Sequence, residues 1–190
     1  ADTYFMGKKV FKCPNDLWLY QEILWEVKPD LIIECGTFHG GSTLYYAKLF
    51  DIMEIPGEII TIDVDPMPEM PRHKRITYLI GSSVSTEIVE KVKELAGNKK
   101  KVMVILDSDH TRNHVLKELE LYSELVSKGS YLIVEDSNIN GHPVYSGFGQ
   151  GPGPWEAVLE FLPKHPEFEI DRTKEKFLMS FNPNGFLKKI

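Results

Sequence analysis

Short apolar runs alternate with helical patterns along most of the chain. Apolar runs typical of buried parallel strands occur at residues 31–33, 58–64, 77–80, 101–106 and 131–134. Apolar residues at helical spacing predict helices at about residues 14–29, 44–50, 86–96, 113–126 and 154–162. Two late runs, 168–170 and 177–181, predict a hairpin at one edge of the sheet, whereas residues 1–13 give no regular signal. The pattern predicts a doubly wound α/β sheet of about seven strands, mostly parallel, with a late antiparallel strand.

Composition limits the function classes. The 190 residues suit a single domain spanning 1–190, and a net charge of −6 argues against a nucleic-acid partner. No apolar run approaches the ~20 residues of a membrane span. Two cysteines, Cys13 and Cys35, do not make a disulfide framework, and the chain starts without a secretory signal pattern. We therefore expect a cytoplasmic protein with reduced thiols.

The stretch at residues 31–44 reads LIIECGTFHGGSTL and has the order strand, glycine loop, helix start. Three glycines follow the strand: Gly36, Gly40 and Gly41. We expect Ser42 and Thr43 to cap the next helix. This order is typical of the first unit of a nucleotide-binding fold, although a tight turn without a ligand has the same pattern.

The chemistry of this loop favours S-adenosylmethionine (SAM) over a dinucleotide. The spacing G-x-x-x-G-G differs from the dinucleotide pattern G-x-G-x-x-G, and Glu34 at the strand end would repel a pyrophosphate. SAM carries an ammonium and a sulfonium but no phosphate. Asp63, near the end of the next strand, is a candidate for the ribose hydroxyls or for capping a turn. The turn at residues 81–83 could line an adenine pocket or start a helix.

Six acidic residues lie at predicted strand ends: Glu34, Asp63, Asp107, Asp109, Glu135 and Asp136. Ligands of doubly wound sheets bind beyond the carboxyl ends of the strands. The last four acids would repel one another, so we predict a divalent cation among them, and oxygen ligands favour Mg²⁺. The alternative is that Asp107 or Asp109 caps the next helix while Glu135 or Asp136 pairs with a basic residue.

Two further features bear on catalysis. His110 follows these acids and is either a general base, given its ordinary pKa of about 6.5, or a structural residue at a helix start. His39 and His142 are weaker candidates. Residues 137–154 are rich in glycine and proline and predict a lid over the acceptor, with Tyr145, Phe148 and Gln150 as candidate wall residues.

The motifs IIECGTFHGGST, VILDSDHT, HVLKELELYSELVSKGSYLIVEDSN, GPWEAVLEFL and FNPNGFLK together resemble the cephalosporin hydroxylase / rhamnosyl O-methyltransferase family. The likeness runs from about Gly7 to Lys188. It implies a class I SAM-dependent methyltransferase fold, with Mg²⁺ at the acceptor site and methyl transfer to a hydroxyl group of a sugar or natural product.

The resemblance also suggests roles for residues. The expected SAM-binding set is Glu34, Gly36, Thr37, Gly40, Ser42, Asp63, Ser82 and Asp107. Glu135 and Asp136 match the family's metal pair. Catechol-type spacing makes Asp107 the third ligand and puts His110 where those enzymes have a lysine base, whereas a D-H pairing favours Asp109 with His110. We therefore keep both aspartates as metal candidates, and Asp109 and His110 as catalytic candidates.

Two rival functions use the same residues. LDSDHT fits the D-x-D-x-T motif of haloacid-dehalogenase-type phosphatases, with Asp107 as nucleophile and Asp109 as acid/base, although that motif normally follows the first strand. A non-catalytic nucleotide-binding module is the other alternative, and an NAD dehydrogenase ranks last. The expected partner is a small-molecule or glycan acceptor, and the sequence leaves open whether the chain forms a homo-oligomer.

Overall fold

The computed structural model describes residues 3–65, 67–144 and 151–190. Seven strands form one sheet: Leu31–Cys35 (β3), Glu58–Asp63 (β4), Ile76–Ile80 (β5), Val102–Leu106 (β6), Tyr131–Val134 (β7), Phe168–Ile170 (β8) and Phe186–Lys189 (β9). Their order across the sheet is β5-β4-β3-β6-β7-β9-β8. Strands β3 to β7 are parallel, and β9 pairs antiparallel with both β7 and β8. The predicted doubly wound sheet is confirmed.

Helices cover both faces of this sheet. They span Pro14–Val27 (α1), Gly41–Ile52 (α2), Thr86–Ala96 (α3), Arg112–Tyr122 (α4) and Pro154–Phe161 (α5). One apolar layer packs α3, α4 and α5 against the sheet through residues such as Val92, Leu119 and Phe161. The opposite layer packs α1 and α2 through residues such as Ile23 and Phe50. In the described ranges, no helix is long and apolar enough to cross a membrane.

The late hairpin lies elsewhere than the sequence predicts. Residues 177–181 form bends and irregular structure, and the strand that pairs with β8 is Phe186–Lys189. This strand lies between two neighbours and buries the consecutive residues Phe186 and Leu187. In the run 177–181, Leu178 is fully exposed and Met179 is 63% exposed, so this run lacks the apolar contacts of an inner strand.

An N-terminal hairpin is the main element that the sequence pattern missed. Strands Thr3–Phe5 (β1) and Lys8–Val10 (β2) pair antiparallel and form a separate sheet. The hairpin packs on the start of α2 so closely that a Cβ atom on Gly41 would lie 2.1 Å from the carbonyl oxygen of Lys9. The chain leaving this hairpin therefore enters the region beside the glycine loop.

Candidate active site

A cavity of about 550 Å³ opens at the carboxyl ends of the parallel strands. Its wall is built by the loops that follow β3, β4, β5, β6 and β7, together with the end of the N-terminal hairpin. A volume of this size is in the range of small-molecule and cofactor sites, roughly 300–1,000 Å³. The position agrees with the general rule for ligand sites in doubly wound sheets.

The glycine loop is shaped by contacts within the protein. Gly36 has a φ of +97°, and a Cβ atom there would lie 1.9 Å from the carbonyl oxygen of Asp107. Gly40 has a φ of +70°, and its Cβ would lie 2.7 Å from the ring of Pro71. Only glycine tolerates both the backbone conformation and such close approach. Gly36 lines the cavity, whereas Gly40, also expected to bind SAM, is not part of the cavity wall and lies against Pro71.

Glu34 lies behind the cavity wall and not on it. Its side chain is fully buried and accepts hydrogen bonds from Ser42 (2.6 Å), Thr61 (2.8 Å) and Thr43. Burial raises the pKa of Glu34, while Lys12 and these three hydroxyl groups lower it. Ser42 and Thr43 thus hold Glu34 and do not cap α2, whose N-cap residue is Gly40. Ser42 also reaches the cavity wall.

Asp63 holds the glycine loop in place from the neighbouring strand. Its Oδ2 accepts hydrogen bonds from the backbone N–H groups of Thr37 (3.0 Å) and Phe38 (2.8 Å), and its Oδ1 accepts one from Asp65 (3.1 Å). Asp63, Thr37 and Ser82 all line the cavity. Because a carboxylate oxygen can accept more than one hydrogen bond, Asp63 can also accept hydrogen bonds from the hydroxyl groups of a ribose.

Three candidate residues come together on the opposite wall. Asp107, His110 and Asp136 each offer a ligand atom, and these atoms lie within 4.8 Å of one another. His110 Nε2 lies 3.3 Å from Asp136 Oδ2. Asp136 has a φ of +53°, a conformation that aspartate tolerates, and its backbone N–H donates to Asn182 Oδ1 at 3.0 Å. The turn after β7 therefore directs Asp136 towards the residues that follow β6.

The electrostatics of this cluster favour a bound cation. Burial and the nearby carboxylates of Asp107 and Glu135 raise the pKa of Asp136 to about 8. Burial also raises the pKa of Asp107, against the effect of Lys12. Burial lowers the pKa of His110, so its imidazole is neutral at neutral pH. Partly buried carboxylates with raised pKa values, such as these two, gain most when a cation binds beside them.

Two of the predicted metal acids have other partners. Asp109 is exposed on the rim of the cavity, and its Oδ1 accepts a hydrogen bond from the backbone of Thr111 at 2.7 Å. Glu135 is buried, and its Oε1 accepts hydrogen bonds from Tyr20 and Lys12, each at 2.5 Å. Neither belongs to the group of close ligand atoms. Asp109 holds the turn just before α4 and does not cap the helix, whose N-cap residue is Thr111. For Glu135 the basic partner is Lys12.

Lys12 is a site residue that sequence reasoning missed. It follows the N-terminal hairpin, is 5% exposed, and places its Nζ 2.7 Å from Asp107 Oδ2. Burial opposes its charge, but Asp107 and Glu135 raise the pKa of Lys12 well above its ordinary value. A single lysine in a stretch without periodicity carries no signal that it is buried, so the contact depends on a hairpin that the pattern did not show.

Glu118 of α4 joins two walls of the cavity. Its Oε1 accepts hydrogen bonds from Ser83 (2.5 Å), in the loop after β5, and from Ser108 (2.6 Å), in the loop after β6. Both serines line the cavity, while Glu118 itself is fully buried. The turn at 81–83 therefore lines the cavity, and its contact with adenine stays a prediction.

The remaining candidates lie at the rim or away from the site. His39 lines the cavity beside Phe38, whereas His142 stacks on Trp155 and contacts Glu156 at 2.6 Å. The predicted lid is described for residues 137–144 and 151–154. The wall residues expected there lie outside the described residues: Tyr145, Phe148 and Gln150.

A family model, curated relatives and a solved structure all match this chain to proteins named Rhamnosyl O-methyltransferase or CmcI. A family model described as Rhamnosyl O-methyltransferase/CmcI matches residues 1–190. The chain is similar to the Rhamnosyl O-methyltransferase of Mycobacterium tuberculosis, with 42% identity over 191 residues that cover 97% of this chain and 77% of the relative. The corresponding protein of Mycobacterium leprae is 39% identical over 193 residues, covering 97% and 82%. A solved structure of CmcI with Mg and SAM is 21% identical, with a TM-score of 0.71 over 99% of this chain and 76% of CmcI.

Proposed function

The chain belongs to the Rhamnosyl O-methyltransferase/CmcI family, and on this premise we propose that it methylates a sugar hydroxyl in a reaction that depends on Mg²⁺. Family membership makes it a SAM-dependent O-methyltransferase. The dependence on metal, the sugar acceptor and the roles of individual residues are the further parts of the proposal. The acceptor class follows from the names of the relatives, which act on rhamnosyl groups.

One observation carries the proposal. The glycine loop and the group Asp107, His110 and Asp136 face the same cavity from neighbouring strand ends. A methyl donor on the glycine loop and an acceptor hydroxyl at the acidic group would therefore share one cavity. Methyl transfer needs this juxtaposition, because donor and acceptor must be held in line and apart from water.

The donor side is formed by the loops after β3, β4 and β5. We assign donor binding to the backbone of Gly36 and Thr37, to Asp63 at the ribose and to Ser82 at the adenine side, all of which line the cavity. Glu34 acts indirectly, because it anchors Ser42 and Thr43 at the start of α2. Its buried charge also contributes a negative potential behind the loop, which suits a cationic donor.

The donor set of the acidic group fits Mg²⁺. Asp107 and Asp136 supply carboxylate oxygens, the ligands that Mg²⁺ prefers, and both have pKa values raised by burial. When bound, the ion would lower the pKa of an acceptor hydroxyl and help to orient it. The CmcI structure with Mg and SAM supports this part of the proposal, since its fold matches this chain.

His110 is best suited to accept the proton of the acceptor hydroxyl. Its imidazole is neutral at neutral pH and lies on the cavity wall beside Asp136. Mg²⁺ prefers oxygen to nitrogen ligands, so the His110 nitrogen would stay available for the acceptor proton with an ion bound. The Asp136 carboxylate then stabilises the imidazolium that forms.

Family membership disfavours the phosphatase alternative, because the relatives are methyltransferases. The 2.7 Å contact between Lys12 and the would-be nucleophile Asp107 does not decide the question, because an ion pair keeps a carboxylate ionised in either kind of enzyme.

Methyl transfer to simple rhamnosides tests the proposal. The protein should transfer the labelled methyl group of SAM to an aryl rhamnoside when Mg²⁺ is present, and mass spectrometry should find one added methyl group on the sugar. A matched aryl glucoside is the control for acceptor class. Binding of S-adenosylhomocysteine (SAH) without methylation of any rhamnoside would leave the SAM assignment intact and overturn the sugar assignment.

A further inference from the structure

Lys12 is an ammonium group placed inside a cluster of acids. Its Nζ lies 2.7 Å from Asp107 Oδ2 and 2.5 Å from Glu135 Oε1, and its side chain is 2% exposed. Such a lysine pays a large desolvation cost unless it is paired, and here two carboxylates pair with it. Lys12 nevertheless reaches the cavity wall, next to the group proposed to hold the metal.

The charges of this cluster suggest what the ammonium does. Asp107, Glu135 and Asp136 are three carboxylates that interact electrostatically with one another and with Lys12. Asp107 contacts the Lys12 ammonium and also belongs to the group whose ligand atoms lie within 4.8 Å of one another, so Lys12 and a divalent cation would lie beside the same carboxylate.

We propose that Lys12 is a positioning residue that acts as the built-in counter-charge of the acid cluster. It keeps Asp107 and Glu135 assembled before a metal binds, and it shares Asp107 with the metal. Its positive charge therefore weakens divalent cation binding while it stabilises the metal-free protein. This inference rests on the proposed function for the presence of a metal, but the role of Lys12 is separate from it.

The N-terminal hairpin explains how Lys12 reaches this place. The residues preceding Lys12 pack against α2 so closely that position 41 has no room for a side chain, because the Lys9 carbonyl oxygen fills that space. Tyr20 of α1 donates to the same Glu135 oxygen as Lys12, at 2.5 Å. The backbone that carries Lys12 therefore comes from outside the strand ends that supply the carboxylates, and Tyr20 of α1 shares one of those carboxylates with it.

The test measures Mn²⁺ and Mg²⁺ affinity by calorimetry, together with the unfolding temperature in EDTA. Lys12→Met should bind either ion at least about tenfold more tightly, because a nearby like charge is removed. It should also lose stability in EDTA and recover more of it than wild type when Mg²⁺ is added. Lys12→Arg keeps the charge and should retain an affinity close to wild type.

Lys8→Met is the matched control. Lys8 lies on the same hairpin, but its ammonium contacts the backbone of Glu69, and Lys8 is not part of the cavity wall. This variant should leave ion affinity unchanged. A folded Lys12→Met protein whose ion affinity is equal to or weaker than that of wild type would overturn the inference, because a purely structural lysine predicts that result.

A double variant decides the matter if Lys12→Met does not fold. Under the proposal the defect is an uncompensated negative charge, so adding Glu135→Gln should restore stability relative to Lys12→Met alone. The amide oxygen introduced by Glu135→Gln would still accept the hydrogen bond of Tyr20. Additive losses in the double variant would instead show that Lys12 acts through packing. Wild-type protein that binds SAH but no divalent ion would contradict the metal part of the proposed function.

Discussion

At the scale of single residues, Gly36 shows how a binding motif can be fixed by packing. Gly36→Ala places a Cβ atom 1.9 Å from the Asp107 carbonyl oxygen and strains a φ of +97°. We expect a loss of roughly 3 kcal/mol or more in the free energy of unfolding, with loss of SAH binding as the loop shifts. Denaturant unfolding and calorimetry measure the two effects.

Gly129 provides the matched control for this variant. It has a φ of +80°, but a Cβ atom there would meet nothing within 4 Å. In Gly129→Ala only backbone strain should lower the free energy of unfolding, by about 1–2 kcal/mol, and SAH binding should be kept. Equal losses in the two variants would mean that conformation, and not the contact with Asp107, requires glycine at Gly36.

His110 allows the proton-acceptor role to be separated from metal binding. His110→Ala should lower the rate of methyl transfer by roughly 10²–10⁴-fold, the usual contribution of a general base. Ion affinity should change little, because the proposed ligands are Asp107 and Asp136. His73→Ala is a control, since His73 pairs with Asp51 away from the cavity wall. Loss of ion binding in His110→Ala would identify His110 as a metal ligand instead.

Residue types and spacing could predict which residues surround the site, but not what each one contacts. Strand-end position correctly brings Asp63, Asp107 and Asp136 to one cavity. It could not show that Glu34 faces hydroxyl groups behind the wall, because one residue of difference along a strand reverses the direction of a side chain. The position of Lys12 could not be predicted for another reason: its partners are about a hundred residues away in sequence.

At the scale of elements, the N-terminal hairpin is predicted to depend on Gly41. Gly41→Ala would bring a Cβ atom to 2.1 Å from the Lys9 carbonyl oxygen and push β2 away from α2. Hydrogen exchange should then become faster in residues 3–10 while the central sheet stays protected. Gly97→Ala is the control, because its nearest neighbour would lie at 3.4 Å. Unchanged exchange in the hairpin would show that this contact does not hold it.

The start of α1 gives a prediction about pH. Asp16 is fully buried, its Oδ2 accepts a hydrogen bond from the backbone of Phe181 at 2.8 Å, and burial raises the pKa of Asp16 from 3.8 to about 6. Glu135 acts in the same direction and Lys12 against it. Between about pH 4 and pH 6 the folded protein keeps a proton that the unfolded chain has released, so this residue makes stability fall as pH rises through that window.

Asp16→Asn should remove that slope. Its free energy of unfolding should exceed that of wild type above pH 6 by at most about 3 kcal/mol, since each pKa unit corresponds to about 1.36 kcal/mol. Urea unfolding at intervals from pH 4 to pH 8 measures the difference. A wild-type advantage that grows with pH would contradict the assigned direction.

Elements were predictable where their pattern is long and their partners are neighbours. The five parallel strands and five helices follow from apolar runs and helical spacing. The strands β1, β2 and β9 do not, because their sequences, TYF, KKV and FLKK, each contain no more than two adjacent apolar residues. At 177–181 an apolar run was a better strand candidate than Phe186–Lys189 by composition, yet only the latter lies between β7 and β8.

At the scale of the whole molecule, the cavity is divided between two sets of strand ends. The loops after β3, β4 and β5 form the proposed donor side, and the loops after β6 and β7 carry Asp107, His110 and Asp136. Doubly wound topology produces this division, because neighbouring strand ends meet at one edge while their loops come from different parts of the chain. Donor binding and metal binding should therefore be separable by experiment.

Chelation is the most direct test of that separation. Excess EDTA should lower methyl transfer at least about a hundredfold, since the acceptor hydroxyl loses its activating charge, and added Mg²⁺ should restore the rate. SAH affinity should remain close to its original value in EDTA, because the donor loops need no metal. Asp136→Asn should likewise lower methyl transfer and leave SAH affinity close to its original value.

Asp109→Asn should bind metal normally, since the amide oxygen can still accept the Thr111 hydrogen bond. Full methylation in excess EDTA would mean that the acids after β6 and β7 act without a metal, and metal loss in Asp109→Asn would move the ligand from Asp107 to Asp109.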